Sequence, residues 1–356
     1  MKLRLWTSRV RVYCVCLAIL GTAAIPHRAD EPLFDLKPVA EGVYAAIAKP
    51  RFRINCNALV VVLEDGVLVV DTHSKPSAAR GLIEQIKTVS DKPVRYVVNT
   101  HFHWDHNQGN AAYLAAWPSG VEVISTEATA EAVETRGIPR IQREIVTVPK
   151  DVERLRKEAA EAKDDATRRD REAERIEAEA YLAELKAMQV KLPTLTFDKS
   201  LILRRGSRTV LMLWLGKGHT DGDLFVLLPK ERVLASGDAL QGWMPYMGDA
   251  YPYDWIHTLE EAAKLDFDTA VGGHGDVMHG KGQFELWKVY LRDLMAETAK
   301  VFAQGASLDE ARMRVAAALT PKYQSRFAAG MPADRFGPSL VGNIEKAYRV
   351  VSGQQN

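Results

Sequence analysis

The stretch Asn99-Thr100-His101-Phe102-His103-Trp104-Asp105-His106-Asn107 decides how the rest of this 356-residue chain is read. It packs three imidazoles and one carboxylate into six residues, more than an apolar interior can supply with hydrogen-bond partners. A metal satisfies such groups instead. Alternate residues His101 and His103 can face one way while the adjacent pair Asp105 and His106 faces another, so the spacing points to two ions rather than one. The stretch follows Val94-Arg95-Tyr96-Val97-Val98, a β-branched and aromatic run that reads as a buried strand. Its donors therefore lie on a loop at a strand's carboxyl end, where open α/β sheets keep their chemistry.

Working outward towards the N-terminus, Gly42–Ile47, Ala58–Leu63 and Val67–Val70 read as strands, the last two joined by a hairpin through Asp65-Gly66. Ala79, Leu82, Ile83 and Ile86 repeat at helical spacing between Lys75 and Lys87. On the other side, Gly109–Trp117 reads as a short helix, Val121–Ile124 as a strand and Glu127–Arg136 as another helix. Residues 152–189 are dominated by Ala, Glu, Arg and Lys and contain neither Gly nor Pro. They read as an inserted helical hairpin broken near Asp164-Asp165, either a solvated ornament, a subunit contact or a lid. Its mixed charges give no basis for a nucleic-acid partner. Further on, Leu201–Leu203 and Thr209–Leu215 form a second hairpin. From there three strands each run into a glycine-flanked donor, at Gly218-His219-Thr220, Ser236-Gly237-Asp238 and Gly273-His274-Gly275. Glycine lets the backbone turn sharply and approach a ligand closely. From Phe284 to the end the chain reads as helical, with a capping box at Ser307-Leu308-Asp309-Glu310.

Residues 1–29 begin with Lys2, Arg4, Arg9 and Arg11, continue with an apolar run and end with small residues, the layout of a secretory signal peptide. A retained anchor is the alternative reading of the same pattern. Cleavage there removes five basic residues and no acidic one. The expected mature chain then carries 42 basic residues against 46 acidic, near −4, and belongs in the periplasm or outside the cell. Cys14 and Cys16 leave with the signal, so Cys56 is the only mature cysteine and reads as a small buried apolar residue. The expected organisation is a signal at 1–29, a catalytic domain at 30–283 carrying the 152–189 insertion, and a helical extension at 284–356.

With four motifs in order, each after a strand, the sequence resembles the metallo-β-lactamase-fold hydrolases. The resemblance runs from about Gly42 to Gly280, without the insertion. It implies an αββα four-layer sandwich with two Zn²⁺ per chain at one edge of the sheets. Carried over by position, His101, His103 and His219 hold the first ion, Asp105, His106 and His274 the second, and Asp238 bridges both. The implied chemistry is hydrolysis by a water made nucleophilic at neutral pH, with Asp105 or a second water delivering a proton to the leaving group. Asp71 is expected to orient a ligand histidine, the alternative being a cap on the turn at Thr72-His73. Trp104, Asn107, Trp243 and Tyr246 are candidates for the pocket wall or for packing beside it. His73 and His279 read as structural or supporting, and His257 as a helix-surface residue.

The resemblance also offers one discriminator of substrate. β-Lactamases of the family carry Cys or Ser where this chain has Asp238, whereas its thioesterases and lactonases carry Asp. The expectation is therefore a small-molecule hydrolase acting on an ester, lactone or thioester, with β-lactam opening as the alternative. An iron-dependent redox enzyme and a non-catalytic metal-binding protein are the readings from other classes. No nucleic acid is expected, nor a membrane once the signal is cleaved. A homo-oligomer through the charged hairpin is an open expectation.

Overall fold

A computed structural model of the chain describes residues 32–49, 56–118, 120–328, 331 and 334–354, so the signal-peptide reading lies outside the described residues. The chain opens with β1 (Phe34–Ala40), β2 (Val43–Ala48), β3 (Ala58–Val62) and β4 (Val67–Val70), then α1 (Pro76–Ile86), β5 (Val94–Val98), α2 (Trp104–Asn107), α3 (Asn110–Ala116), β6 (Glu122–Thr126) and α4 (Glu127–Ala132). A π-helical turn at Val133–Gly137 leads into the hairpin of α5 (Ile138–Glu161) and α6 (Asp165–Ala187). There follow β7 (Leu195–Phe197), β8 (Ser200–Arg205), β9 (Arg208–Trp214), β10 (Leu224–Leu228), β11 (Val233–Gly237), α7 (Pro252–Lys264), β12 (Thr269–Gly272) and β13 (Met278–His279). Three helices close the chain: α8 (Gly282–Ala303), α9 (Leu308–Phe327) and α10 (Phe336–Val351).

Strands β1 to β7 pair in chain order in one sheet, and the second sheet has the order β13-β12-β11-β10-β9-β8. Period-two alternation explains how they stack. In β3 and β4, Leu59, Val61, Leu68 and Val70 face Val210, Met212, Val226 and Val233 of the other sheet. Their neighbours Val60, Val67 and Val69 face Leu82 and Ile83 of α1 and Tyr113 of α3. Phe225, Leu227 and Leu234, on the far side of the second sheet, share one core with α7, α8, α9 and α10. The layers are thus helix, sheet, sheet, helix, as the αββα expectation has it. Each fully buried Val or Leu contributes about 1.5–3 kcal/mol.

This arrangement sets where the functional loops emerge. Strands β4, β5 and β6 run parallel, as do β11 and β12. Asp71 after β4, the histidine cluster after β5, Asp238 after β11 and His274 after β12 consequently leave the sheets at carboxyl ends. The hairpin starts earlier than its composition suggests. Glu127–Arg136 does not end as a separate helix but continues through the π turn into α5, whose second residue is Pro139. The break falls where expected: the Asp164 carboxylate caps α6 by accepting from Thr167 N at 2.8 Å. The capping box at Ser307 is present as expected. Strands β1, β7 and β13 were not read from the sequence. Among the described residues no helix is long and apolar enough to cross a membrane.

Candidate metal centre

The loop after β5 turns at once into the single-turn helix α2, so His101, His103, Asp105 and His106 face a common point. His101 and His106 are fully buried, Asp105 nearly so, and His103 sits at the edge of solvent. Across the gap, His219 arrives on the β9–β10 loop, Asp238 just past β11 and His274 just past β12; all three are buried. The structure therefore brings together all seven residues that the sequence singled out. Three overlapping groups form, His101/His103/His219, His101/His106/Asp238 and Asp105/His106/His274, with the donor atoms of each group within 4.8 Å of one another.

Hydrogen bonds fix which nitrogen of each ring faces the gap. His106 Nδ1 donates to Asp71 Oδ2 at 2.8 Å. Thr100 Oγ1 donates to the same oxygen at 2.8 Å and lies 3.1 Å from His101 Nδ1, which is therefore the donor to it. His103 Nε2 donates to Asp249 Oδ2 at 2.8 Å, and His219 Nδ1 donates to the Tyr246 carbonyl at 2.9 Å. His101, His103 and His219 each commit one nitrogen as donor in this way, which leaves the other to present a lone pair. His103 Nδ1 and His219 Nε2 then face each other, lone pair to lone pair, at 2.8 Å. Two such atoms repel unless a cation lies beside them. His101 Nε2, His106 Nε2 and Asp238 Oδ1 are buried with no hydrogen-bond partner, which an unfilled coordination shell explains and a packed core does not. The residues present fit a metal.

Charge follows the same division. Burial, with His103 alongside, lowers the His219 pKa to about 3, and burial holds His101 well below the ordinary histidine range. Burial also opposes charging of His274, but Asp238 and Asp105 outweigh it and raise the pKa to about 9. Desolvation would raise Asp105, yet His106 and His274 hold it at about 2. His101 and His219 are thus held as neutral imidazoles, while Asp105, His106 and His274 belong to an ionic cluster.

A pocket of about 640 Å³ opens over these donors. Trp104, Trp243 and Tyr246 line it, and Trp243 stacks on His274 with ring centroids 5.1 Å apart. Asn107 does not. It is buried under the loop, where Nδ2 donates to the Phe102 and His103 carbonyls at 2.7 and 2.9 Å, so its work is to hold the histidine loop in shape. Asp71 contacts His106 and Thr100 directly. His73 is buried with Nδ1 donating to the Cys56 carbonyl, His257 is exposed, and His279 lies on β13 away from the donors. Cys56 is a buried free thiol whose pKa burial pushes up to about 12.

Sequence reasoning missed five contributors. Asp249 orients His103 and also meets Arg136 at 3.4 Å, while Arg136, Arg140, Arg143 and Arg335 line the mouth of the pocket. Arg136 lies over the Phe102 ring and Arg140 over Trp104. The start of α5, ahead of residues 152–189, is therefore a wall of the site.

A two-sheet sandwich with histidine and aspartate clusters at one edge defines a metal-binding αββα protein. The chain belongs to the metallo-beta-lactamase superfamily, whose family model matches residues 51–274 and whose members are mostly metal-dependent hydrolases. Among curated relatives, it is 27% identical over 262 residues to a linear primary-alkylsulfatase of Pseudomonas sp. (strain ATCC 19151), covering 69% of this chain and 47% of that protein. It thus spans about half the length of that relative. It is 23% identical over 227 residues to a metallo-beta-lactamase type 2 of Bacillus sp. (strain 170), 62% of this chain and 67% of the relative. The fold also matches a metallo-beta-lactamase from Pontibacter korlensis with a TM-score of 0.53 at 17% identity, over 73% of this chain and 99% of that one.

Proposed function

We propose that this protein is an exported zinc-dependent hydrolase that opens an ester, lactone or thioester bond. The observation that carries the reading is the opposed pair of lone pairs on His103 Nδ1 and His219 Nε2, set beside the orphaned His101 Nε2, His106 Nε2 and Asp238 Oδ1. His101, His103 and His219 would hold one ion, Asp105, His106 and His274 a second, and Asp238 would reach both. Imidazole and carboxylate without thiolate suit zinc, and the scarcity of carboxylates on the first group argues against an iron redox site. Two zinc ions there supply Lewis acidity towards a substrate oxygen and lower the pKa of water from 15.7 to about 7.

The chain's own residues perform the remaining tasks. Asp71 and Asp249 lock the tautomers of His106 and His103. Asp105, an ionised carboxylate lining the pocket, would accept the proton given up by the attacking water and pass it on to the leaving atom. Trp104, Trp243 and Tyr246 give the substrate an apolar wall and exclude water. The arginines at the mouth draw in the anionic part of a substrate. Asp238, where related β-lactamases carry Cys or Ser, favours esters and thioesters over lactams.

The lactam reading stays second, supported by relatives named as type 2 metallo-beta-lactamases. Metal analysis of the isolated protein, followed by assay of p-nitrophenyl esters, lactones, thioesters, an alkyl sulfate and a chromogenic cephalosporin, separates these readings. Turnover of the first three classes, abolished by chelation and restored by zinc, is expected. Full turnover after complete metal removal overturns the proposal.

A further inference from the structure

We propose that the groove between residues 243–248 and α10 is a second compartment of the substrate site, which takes the aliphatic chain of an ester whose reacting group lies at the histidine and aspartate clusters. The inference rests on the hydrolase reading above and adds the chemical class of the substrate.

The groove has a volume of about 500 Å³. Met244, Pro245 and Met247 form one wall, and Met331, Pro338 and Gly342 form the other. Trp243, Tyr246 and Arg335 line both this groove and the pocket over the metal donors, so the two spaces meet at those side chains. Tyr246 stands at the junction, 58% exposed, although Met244 and Met247 on either side of it are buried. An aromatic ring left open between two cavities is a surface prepared for a ligand.

The walls are fixed by the fold. Asn343 Nδ2 on α10 donates to the Pro245 carbonyl and to Tyr290 Oη, both at 2.9 Å, and Trp287 Nε1 donates to the Trp243 carbonyl at 3.0 Å. A groove held this way needs little ordering when a ligand enters. Methionine walls are apolar and adaptable, which suits a flexible hydrocarbon chain better than a rigid ring system. Glu345, the one carboxylate on the lining, is already engaged by Arg312 at 2.9 Å. Gly342 on α10 is exposed and lines the groove, and an added Cβ there would meet no atom within 4 Å. Glycine inside a helix weakens it, and here it leaves empty the space a larger residue would occupy.

Gly342→Leu fills the groove without touching the metal donors, and Gly342→Ala adds one methyl as a control. With the zinc-loaded protein, kcat/KM is expected to rise from p-nitrophenyl acetate through butyrate to octanoate, by up to about fourfold per buried methylene. Gly342→Leu should abolish that rise, leave acetate turnover unchanged and retain the thermal midpoint, whereas Gly342→Ala should keep the rise. Binding is read separately on the metal-free protein by tryptophan fluorescence with sodium octanoate against sodium acetate. Saturable octanoate binding, at least tenfold weaker in Gly342→Leu and absent for acetate, is expected. Equal octanoate responses of the wild type and Gly342→Leu, no response from either, or an unaltered chain-length profile in the variant, overturns the compartment. Octanoate binding that Gly342→Leu weakens, in a protein without ester turnover, supports the compartment and overturns the hydrolase reading alone.

Discussion

Asp71 holds His106 directly, its Oδ2 accepting from Nδ1 at 2.8 Å, and the same oxygen reaches His101 through the Thr100 hydroxyl. One carboxylate therefore sets the orientation of two rings proposed to hold different ions. Asp71 itself sits at φ 65°, a left-handed conformation that Asn also tolerates. Asp71→Asn should keep the backbone while removing the charge behind both imidazoles. Zinc affinity is expected to fall about 10–100-fold, measured by competition with a chromophoric chelator. Unchanged affinity would show that Asp71 serves the turn alone.

Asp249 does the same for His103, from 146 residues away in the chain. Asp249→Ala should weaken one metal equivalent by about tenfold or more and leave the other within a factor of two or so, because His103 is the one metal donor to which Asp249 is hydrogen-bonded. A stepwise zinc titration of the metal-free protein distinguishes this from a loss spread over both equivalents.

The histidine pKa values give the metal-free protein a stability maximum with two different flanks. His219 has a folded pKa of about 3, below its unfolded value of about 6.5, so the unfolded chain binds the extra proton and stability falls as pH drops from 6.5 towards 3. His274 is raised to about 9; its contribution is complete below 6.5 and is lost as pH climbs through 9. Thermal midpoints of chelated protein across that range should fall on both sides of near-neutral pH. Because His274 is protonated below about 9 and a metal takes the neutral ring, zinc binding at pH 7.5 should release a proton. Calorimetry in two buffers of different ionisation enthalpy reads that release.

The donors were legible because none has a packing reason to be where it is: four crowd into six residues after a β-branched run, and His219, Asp238 and His274 stand beside glycine beyond a strand. The αββα layering was legible only through the family resemblance: Leu59–Val62 and Val67–Val70 are apolar at every position, and which side chains face which layer appears only in the folded chain. The partners that orient the donors were not. Asp249 follows a turn-rich stretch, and only the folded chain puts it beside His103. The π turn was hidden by Gly137 and Pro139, which read as a helix end but are accommodated where α5 begins. Short edge strands such as β7 and β13 carry too few residues to show a period.

The hairpin wall is testable by itself. Arg140 donates to both oxygens of Glu144, at 2.7 and 3.1 Å, and lies over Trp104, while Tyr181 of α6 also donates to Glu144 at 2.7 Å. Arg140→Ala should raise KM for anionic substrates several-fold with kcat nearly unchanged. The stability loss should stay near 1 kcal/mol or below, since the pair is partly solvated. Equal effects on neutral and anionic substrates would rule out a role in charge recognition.

Gly273 is where the backbone comes closest to the metal donors. A Cβ there would stand 2.0 Å from Asp238 Oδ1 and 2.9 Å from His106 Cε1. The main chain cannot retreat, because Gly273 N donates to the Gly237 carbonyl at 2.8 Å and its own carbonyl accepts from Asn57 N at 2.7 Å. In Gly273→Ala the Asp238 carboxylate must therefore move, breaking the contact proposed to join the two ions. Overpacking of this kind costs about 1–3 kcal/mol, so the fold should survive, as far-UV circular dichroism would show. The zinc retained per chain should fall by at least one equivalent, and ester turnover with it. Gly282→Ala, where an added Cβ meets nothing within 4 Å, is the matched control and should change neither. Full zinc content in Gly273→Ala would mean that Asp238 is not needed to hold the metals.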